Sequence, residues 1–297
     1  VKRQIDPQLE WQKLQKYQIN VVTLFDKIYP SLLKEIPDPP PFLYYKGNLN
    51  LKGPTIALVG ARKYTDYGRK VAEDLSRGLA EAGVIIISGL ALGIDSFAHK
   101  ACLEAGGKTI AVLPCGLERV YPASHWQLAQ KIIQAGALVS EFPLGTEVFP
   151  YNFPERNRII AGLSLGVVVI EAEAISGTLL TARSALDYNR EVFAVPGDIY
   201  RRTSQGVNNL LKMGAKVVSG AQDILSELNI PYQPQATFER LSSDEVAILS
   251  LIQRQPLHID KIIALSRLDT SQVSSLLTIL EMKGKVKNIG GNQFVIV

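Results

Sequence analysis

The feature that most constrains the fold is a regular alternation of short apolar runs with longer helix-like segments, which begins at residue 55. The apolar runs cover residues 55–59, 84–88, 109–113, 137–140, 166–170, 191–194 and 216–218. Most are apolar throughout rather than alternating, which is typical of strands that are buried on both faces. Because helix-length segments separate them, the runs predict a parallel sheet covered by helices on both sides.

The segments between these runs have helical periodicity. In residues 66–82, Val71, Leu75 and Leu79 fall on one face, Asp66 can act as the N-cap, and Gly83 ends the segment. Further helices are predicted at residues 94–105, 124–134, 156–164, 178–188, 207–213 and 222–228. The alternation therefore predicts one extended Rossmann-like, doubly wound α/β domain over residues 51–230.

The regions on either side of this domain have a different character. Residues 1–50 contain a proline-rich segment that predicts a stiff, extended N-terminal arm packed on the main domain. Residues 231–239 contain two prolines and predict a linker. Residues 240–297 predict three helices followed by a hairpin with two glycines at its turn, which is the order of a small C-terminal winged-helix domain.

The composition excludes several classes of protein. The chain has 297 residues and a net charge of +4, which permits a local basic groove without requiring one. Cys102 and Cys115 form no C-x-x-C pair, and the three histidines lack metal-ligand spacing. We therefore predict no metal, no cofactor and a cytoplasmic location. No apolar run approaches the ~20 residues of a membrane span, so no membrane association is predicted.

Glycine-bearing and arginine-bearing turns at strand ends point to an anion site. Such turns meet at one edge of an open α/β sheet, where helix N-termini present free backbone N–H groups. The candidate phosphate-binding residues are Gly60, Arg62, Ser88, Gly89, Lys108, Arg156, Asn157, Arg158, Ser176, Gly177 and Thr178. Three of these are arginines at the predicted edge, and a nucleic-acid backbone is the anion that best fits the rest of the chain.

Each of these candidates also has a structural interpretation. Arg62 can pair with Asp66, and Lys108 can be an ordinary solvated lysine. Arg156 and Arg158, predicted at a helix start where cations oppose the helix dipole, can instead form salt bridges to Glu155, Glu171 or Glu173. The neighbouring aromatic residues 149, 151 and 153 can stack on bases or belong to the core. Asp95 and His99 lie one helical turn apart and can form an acid–base pair, but a structural contact is the preferred interpretation.

Together, these segments resemble the DNA-processing protein A (DprA/Smf) family. The resemblance rests on residues 60–62, 88–95, 107–112, 153–160, 176–182 and 195–197, and it extends from about Tyr29 to Leu225. It implies a single-stranded DNA-binding protein without catalysis that protects incoming strands during natural transformation and helps to load a RecA-type recombinase. It also implies a homodimer formed through the Rossmann-like domain. By the same resemblance, Arg62 and Lys108 contact DNA with residues 156–158 nearby, and residues 1–50 contain the remnant of a helical domain.

Two alternatives use the same fold. Related phosphoribohydrolases carry a catalytic glutamate in the motif that corresponds to residues 176–181, but Thr181 stands at its position here, which removes the acid–base group. A small-nucleotide sensor is the second alternative. In the predicted winged helix, the third helix has no basic residue before Lys283, so we expect weak duplex binding by this domain.

Overall fold

The computed structural model describes residues 6–231, 242–252, 256–266, 268–282 and 285–296. The chain divides into two compact units, Val1–Pro234 and Gln235–Val297. From residue 232 onward, the predicted linker lies outside the described residues. No helix in the described ranges is long and apolar enough to cross a membrane.

The first unit is built on one nine-stranded sheet of order β1-β2-β6-β5-β4-β3-β7-β8-β9. Its strands are β1 (Asn20–Thr23), β2 (Phe42–Gly47), β3 (Thr55–Val59), β4 (Ile85–Ser88), β5 (Thr109–Val112), β6 (Ala137–Ser140), β7 (Gly166–Val169), β8 (Glu191–Ala194) and β9 (Lys216–Val217). From β6 to β9 across the sheet every pair is parallel, whereas β1–β2 and β2–β6 are antiparallel. The chain moves outward from β3 to β6 and then returns to β7 beside β3. The topological switch point therefore lies between β3 and β7, where open α/β sheets bind ligands.

Helices cover both faces of this sheet. They are α1 (Pro7–Lys16), α2 (Ser31–Lys34), α3 (Asp66–Glu81), α4 (Ile94–Glu104), α5 (Trp126–Ala135), α6 (Asn152–Gly162), α7 (Gly177–Asp187), α8 (Arg202–Lys212) and α9 (Ala221–Glu227). Helices α2, α6, α7 and α8 pack on one face, and α1, α3, α4, α5 and α9 pack on the other. The predicted Rossmann-like, doubly wound arrangement is confirmed.

Two helix starts differ from the prediction. Thr65, not Asp66, caps α3, because its hydroxyl accepts the Gly68 N–H at 3.1 Å. Helix α6 starts at Asn152, four residues before the predicted start, and includes Pro154 in its first turn, where a proline costs no hydrogen bond. The arginines of α6 therefore lie in its second turn. They do not stand at the helix start, so the unfavourable position relative to the helix dipole, which pointed to a bound anion, does not arise.

The chain before β3 contributes directly to the sheet. Tyr44 of β2 pairs with Ser140 of β6, and β1 forms the outer edge. Leu33 and Leu43 are fully buried and belong to the core that covers one face of the sheet. The segment predicted as a packing arm thus supplies two strands and part of the hydrophobic core.

The second unit contains α10 (Ser243–Ile252), β10 (Leu257–His258), α11 (Ile259–Ser266), α12 (Thr270–Met282), β11 (Val286–Asn288) and β12 (Gln293–Ile296). Its strands form an antiparallel sheet of order β10-β12-β11. Ile248, Ile262, Val273 and Leu277 form its core with residues of the hairpin. This is a winged helix, as predicted. Lys283, the first basic residue after α12, lies outside the described residues.

Candidate functional site

A cavity of about 370 Å³ lies at the switch point, between the turns that follow β3 and β7 and the start of α6. Its wall includes residues from both turns and from α4, α6 and α7. The lining side chains that carry charge or a hydrogen-bonding group are Arg62, Lys63, Asp95, Arg156, Asn157, Glu173, Ser176, Thr178 and Thr181. The predicted residues Gly60 and Gly177 line the same cavity.

The Asp95 side chain holds the turns after β3 and β4 in place at this cavity. Its carboxylate is buried and accepts the backbone N–H groups of Gly89 at 3.1 Å, Ala91 at 3.4 Å and Gly60. Burial raises the pKa of Asp95, while the nearby Arg156 and the three N–H donors oppose that rise. The turns after β3 and β4 are therefore fixed to one carboxylate, and the N–H groups of Gly60 and Gly89 are already used within the protein.

Arg156 holds the turn after β4 and the end of β5 through its guanidinium group. Its Nη1 atom donates to the carbonyl oxygens of Gly89 and Val112, each at 2.6 Å, and Nε donates to Asn157 Oδ1 at 3.1 Å. Burial lowers the pKa of Arg156 to about 10, so the side chain stays cationic at neutral pH. Arg156 thus places a fixed positive charge at the cavity wall, while Nη1 serves two backbone carbonyls and Nε serves Asn157.

Arg62 is an exposed cation at the mouth of the cavity, and the adjacent Lys63 is another. Its guanidinium lies 4.7 Å from the centre of the Phe153 ring, in a cation–π contact. No ion pair between Arg62 and an acidic residue is found in the described part of the chain, so the alternative interpretation, a pairing with Asp66, does not hold. Arg62 is thus exposed and also lines the cavity.

The N-terminus of α7 forms the opposite wall. The Ser176 hydroxyl accepts the Thr178 N–H at 3.2 Å, and the Thr178 hydroxyl donates to the Gly60 carbonyl at 3.2 Å. Asn157 Nδ2 donates to the Gly177 carbonyl at 3.1 Å, which ties α6 to this turn. An added Cβ on Gly177 would meet no atom within 4 Å. The start of the helix therefore faces free space. The Thr178 and Leu179 N–H groups already bond Ser176, which leaves the Gly177 N–H as the first-turn donor with no partner shown among the described residues.

Four predicted residues do not line this cavity: Ser88, Gly89, Lys108 and Arg158. Lys108 precedes β5 and is exposed at the opposite edge of the sheet. Arg158 donates to the Asp38 carbonyl and to the Glu141 carboxylate, both at 2.6 Å, and so fastens the segment before β2 to the sheet. Ser88 is buried, and its hydroxyl donates to the Leu58 carbonyl at 2.6 Å.

Aromatic residues surround the mouth of the site. Phe153 meets Tyr121 edge-to-face at 5.9 Å, and these two rings with Arg62 and Gly89 line a second, smaller cleft. The exposed rings of Phe149 and Tyr151 stack at 5.3 Å. Sequence reasoning missed Tyr121, because 32 residues of sequence separate it from Phe153 and no spacing signals the contact.

Asp95 and His99 do not pair with each other, contrary to the sequence-based interpretation. His99 Nδ1 instead lies 2.7 Å from the Thr109 hydroxyl, inside the core. Both residues are structural, but they act on different elements: Asp95 holds the turns at the site and His99 holds β5. Among the described residues, no cluster of three or more His, Cys, Asp or Glu side chains could hold a metal ion.

Fold and site together define a Rossmann-like protein with a cationic crevice at its switch point and an appended winged helix. A model of the DNA recombination-mediator protein A family matches residues 20–229, and a DprA winged-helix model matches residues 232–292. The chain belongs to this family, whose members are named DprA or Smf.

Individual relatives agree with this assignment. Protein Smf of Synechocystis is 36% identical, over 91% of this chain and 78% of its own. The crystal structure of DprA from Streptococcus pneumoniae superimposes with a TM-score of 0.72 at 42% identity, over 77% of this chain and 80% of that one. A Helicobacter pylori DprA structure, described for its single-stranded DNA binding mode, has a TM-score of 0.66 at 30% identity and covers 73% of this chain and 98% of its own.

Proposed function

We propose that this protein binds single-stranded DNA in the crevice at the switch point and acts there as a recombination mediator. The observation that carries the proposal is Arg62, an exposed cation held on an aromatic ring at the mouth of the cavity, opposite the N-terminus of α7. A phosphate between these two groups gains a charge-assisted hydrogen bond and the field of the helix dipole. The Helicobacter pylori relative, described for its single-stranded DNA binding mode, supports the choice of ligand.

The surroundings favour a single strand over a duplex. Tyr121 lines the smaller cleft, and Phe149 and Tyr151 are exposed just before α6, which contributes to the cavity wall. Unpaired bases stack on such rings, whereas a duplex hides its base faces. Stacking is tolerant of sequence because every base has a flat face, so we expect little base preference.

We assign different roles to the predicted residues. Arg62, Ser176, Gly177 and Thr178 form the surface that meets phosphate. Gly60 and Asn157 shape the crevice, and Arg156 gives it positive charge. Gly89 lines the smaller cleft and accepts a hydrogen bond from Arg156. Ser88 supports the turn after β4 from within the core.

Lys108 and Arg158 receive other roles in this proposal. Lys108, at the opposite edge of the sheet, can meet only a strand that leaves the crevice and passes around the domain. Arg158 donates its hydrogen bonds to the Asp38 carbonyl and the Glu141 carboxylate. Its contribution to DNA binding is therefore indirect, through the position of α6.

The wider role follows the family. We propose that the protein protects incoming strands in the cytoplasm and passes them to a RecA-type recombinase, without catalysing a reaction itself. At the position where the related hydrolases carry their glutamate, Thr181 is a buried hydroxyl that cannot supply a carboxylate. We further propose a homodimer through the first unit, whose edge strand β9 leaves Val217 and the adjacent Met213 exposed.

The proposal is tested by fluorescence anisotropy with labelled oligo-dT and the full chain. Loss of a hydrogen bond to a charged group costs about 1.5–3 kcal/mol, so Arg62→Ala should weaken binding roughly 10- to 150-fold. It should also reduce the slope of log affinity against log salt by about 0.7, the value for one single-strand phosphate. Arg77→Ala, an exposed arginine near the far end of α3, is the matched control. Equal affinity of wild type and Arg62→Ala would remove the crevice as the binding site.

A nucleotide sensor is the second candidate function. The cavity of about 370 Å³ lies within the size range of small-molecule sites, and Lys63 and Ser176 could meet a mononucleotide phosphate. Thermal stabilisation by a mononucleotide, with none by oligo-dT, would favour this function over DNA binding.

A further inference from the structure

Exposed apolar and basic side chains continue beyond the crevice, along the ends of the neighbouring strands β7 and β8. We call this surface the β7–β8 rim and define it by Ile175, Ile199, Tyr200, Arg201 and Arg202. The side chains of Ile175 and Tyr200 are 98% and 89% exposed, and Ile199 is exposed as well. Single exposed apolar residues are ordinary on a protein surface. Three on two adjacent loops beside a cationic cavity indicate a binding surface.

The rim is continuous with the crevice. Ile175 lines the cavity itself, beside Ser176. The first turn of α8 is fastened to the same wall, because the Ala172 N–H donates to the Thr203 carbonyl at 2.8 Å. Since β7 and β8 are adjacent parallel strands, their following loops leave the sheet at the same edge.

The β8 loop is held in a defined shape that leaves its side chains free. Asp198 accepts the Tyr200 N–H at 2.9 Å, and the Pro196 carbonyl accepts the Tyr67 hydroxyl at 2.9 Å. These bonds fix the backbone while the ring of Tyr200 points away from the core. A rigid aromatic side chain presented in this way loses little entropy when a base stacks on it.

The charge of the rim selects an anionic partner. Arg201 has one exposed contact, to Asp198 at 3.6 Å, and such a pair contributes little in water. No ion pair of Arg202 is found among the described residues. An exposed aromatic ring beside two exposed guanidinium groups is typical of surfaces that bind a single strand. The ring stacks on a base, and the guanidinium groups bind phosphates.

We infer that a single strand leaving the crevice passes over Ile175 onto the β7–β8 rim, where a base stacks on Tyr200 and the next phosphates meet Arg201 and Arg202. The inference rests on the proposed function, since the crevice supplies the first contact. It adds a second contact region and a direction along the sheet edge. Long strands should therefore bind more tightly than strands that fill the crevice alone.

The test is a length series of oligo-dT, from about 4 to about 16 nucleotides, which is the range of site sizes for single-strand grooves. For the longest strands, Tyr200→Ala should weaken binding by roughly 5- to 150-fold, the effect of losing one stacked base. Tyr200→Phe, which keeps the ring, should restore it. The double variant Arg201→Ala/Arg202→Ala should lower the salt slope by about 0.7 for each phosphate lost. The shortest strand should bind all these variants like wild type.

A matched control removes two exposed cations elsewhere, Lys16→Ala/Arg77→Ala, and should leave the length dependence unchanged. If Arg62→Ala weakens the binding of every oligo-dT length while the rim variants change none, the crevice is supported as a binding site and the rim inference is overturned. If Arg62→Ala also leaves every affinity unchanged, the proposed function itself is overturned, and with it the rim inference. If the rim variants alter the oligomeric state in sedimentation but not the affinity for long strands, the rim meets a second copy of the chain, and the inference is again overturned.

Discussion

Acid should destabilise the first unit through one buried histidine. His99 on α4 is fully buried. The Thr109 hydroxyl donates its only proton to the Ile86 carbonyl at 2.8 Å, so it must accept from Nδ1–H of His99 at 2.7 Å. The unprotonated nitrogen is then Nε2, which is buried and has no hydrogen-bond partner among the described residues.

The cost of protonating this site can be worked out from its pKa. Burial, and then the nearby charges of His125 and Arg156, lower the pKa of His99 from 6.5 to about 3. As the pH falls below 6.5, His99 becomes protonated in the unfolded chain but stays neutral in the folded chain until about pH 3. Because the unfolded state binds this extra proton, the folded state loses stability across that window as the pH falls. Each pH unit in the window costs about 1.4 kcal/mol, so the descent from pH 6.5 to pH 5 should remove about 2 kcal/mol.

The assay is urea unfolding of the full chain, followed by tryptophan fluorescence between about pH 7 and pH 5. Both tryptophans, Trp11 and Trp126, lie in the first unit, so the signal reports that unit alone. His99→Asn keeps an amide donor toward Thr109 but does not titrate. Its stability should fall about 2 kcal/mol less than that of wild type over this range.

A control separates this effect from other titrations. His258→Asn replaces an exposed histidine of the second unit and should follow the wild-type pH dependence. If wild type and His99→Asn lose stability equally as the pH falls, the assignment of a neutral, unpartnered His99 is refuted.

Further substitutions test how the site is built. Gly89→Ala would place a Cβ 2.6 Å from Arg156 Cζ and should cost about 1–3 kcal/mol by urea unfolding, whereas Gly177→Ala, with open space around it, should keep wild-type stability within about 0.5 kcal/mol. Arg158→Ala leaves the half-buried Glu141 without its cation and should cost about 3 kcal/mol, while the affinity for oligo-dT changes less than in Arg62→Ala. Equal stability of the two glycine variants, or a stable Arg158→Ala with lost DNA binding, would contradict these roles.

Much of the fold could be predicted from the sequence because its signal is local. Continuous apolar runs and helix-length spacers specify parallel strands without knowledge of any distant contact. The two strands before β3 were not assigned as strands. They are antiparallel and short, and β2 is set by pairing with β6, about ninety residues later, which no local pattern reports.

The sequence indicates which candidate residues come together at the cavity only in part, and the differences have physical causes. Residues at strand ends, such as Arg62 and Ser176, meet because parallel strands end at one edge. Lys108 precedes its strand and so lies at the other edge. Arg156 and Arg158 are two positions apart on a helix, about 200° around the axis, so one lines the cavity and the other turns toward Glu141.

The role of Asp95 was beyond sequence reasoning for a different reason. Its partners are backbone N–H groups, which every residue but proline carries, so no residue type marks them. The nearby glycines, Gly60 and Gly89, are candidate phosphate-binding residues in the sequence, but both lie close to side chains of the protein itself. For Gly89 the close neighbour is the Arg156 guanidinium, and for Gly60 it is Ile94, at 2.7 Å from an added Cβ.

The central claim, that the crevice binds single-stranded DNA, is tested most directly by anisotropy of labelled oligo-dT with the wild-type chain at several salt concentrations and with unlabelled duplex as competitor. We expect tight binding that weakens steeply with salt, as phosphate contacts require, and that duplex fails to displace. Absence of binding at low salt, or displacement by duplex as effective as by unlabelled oligo-dT, would contradict the claim.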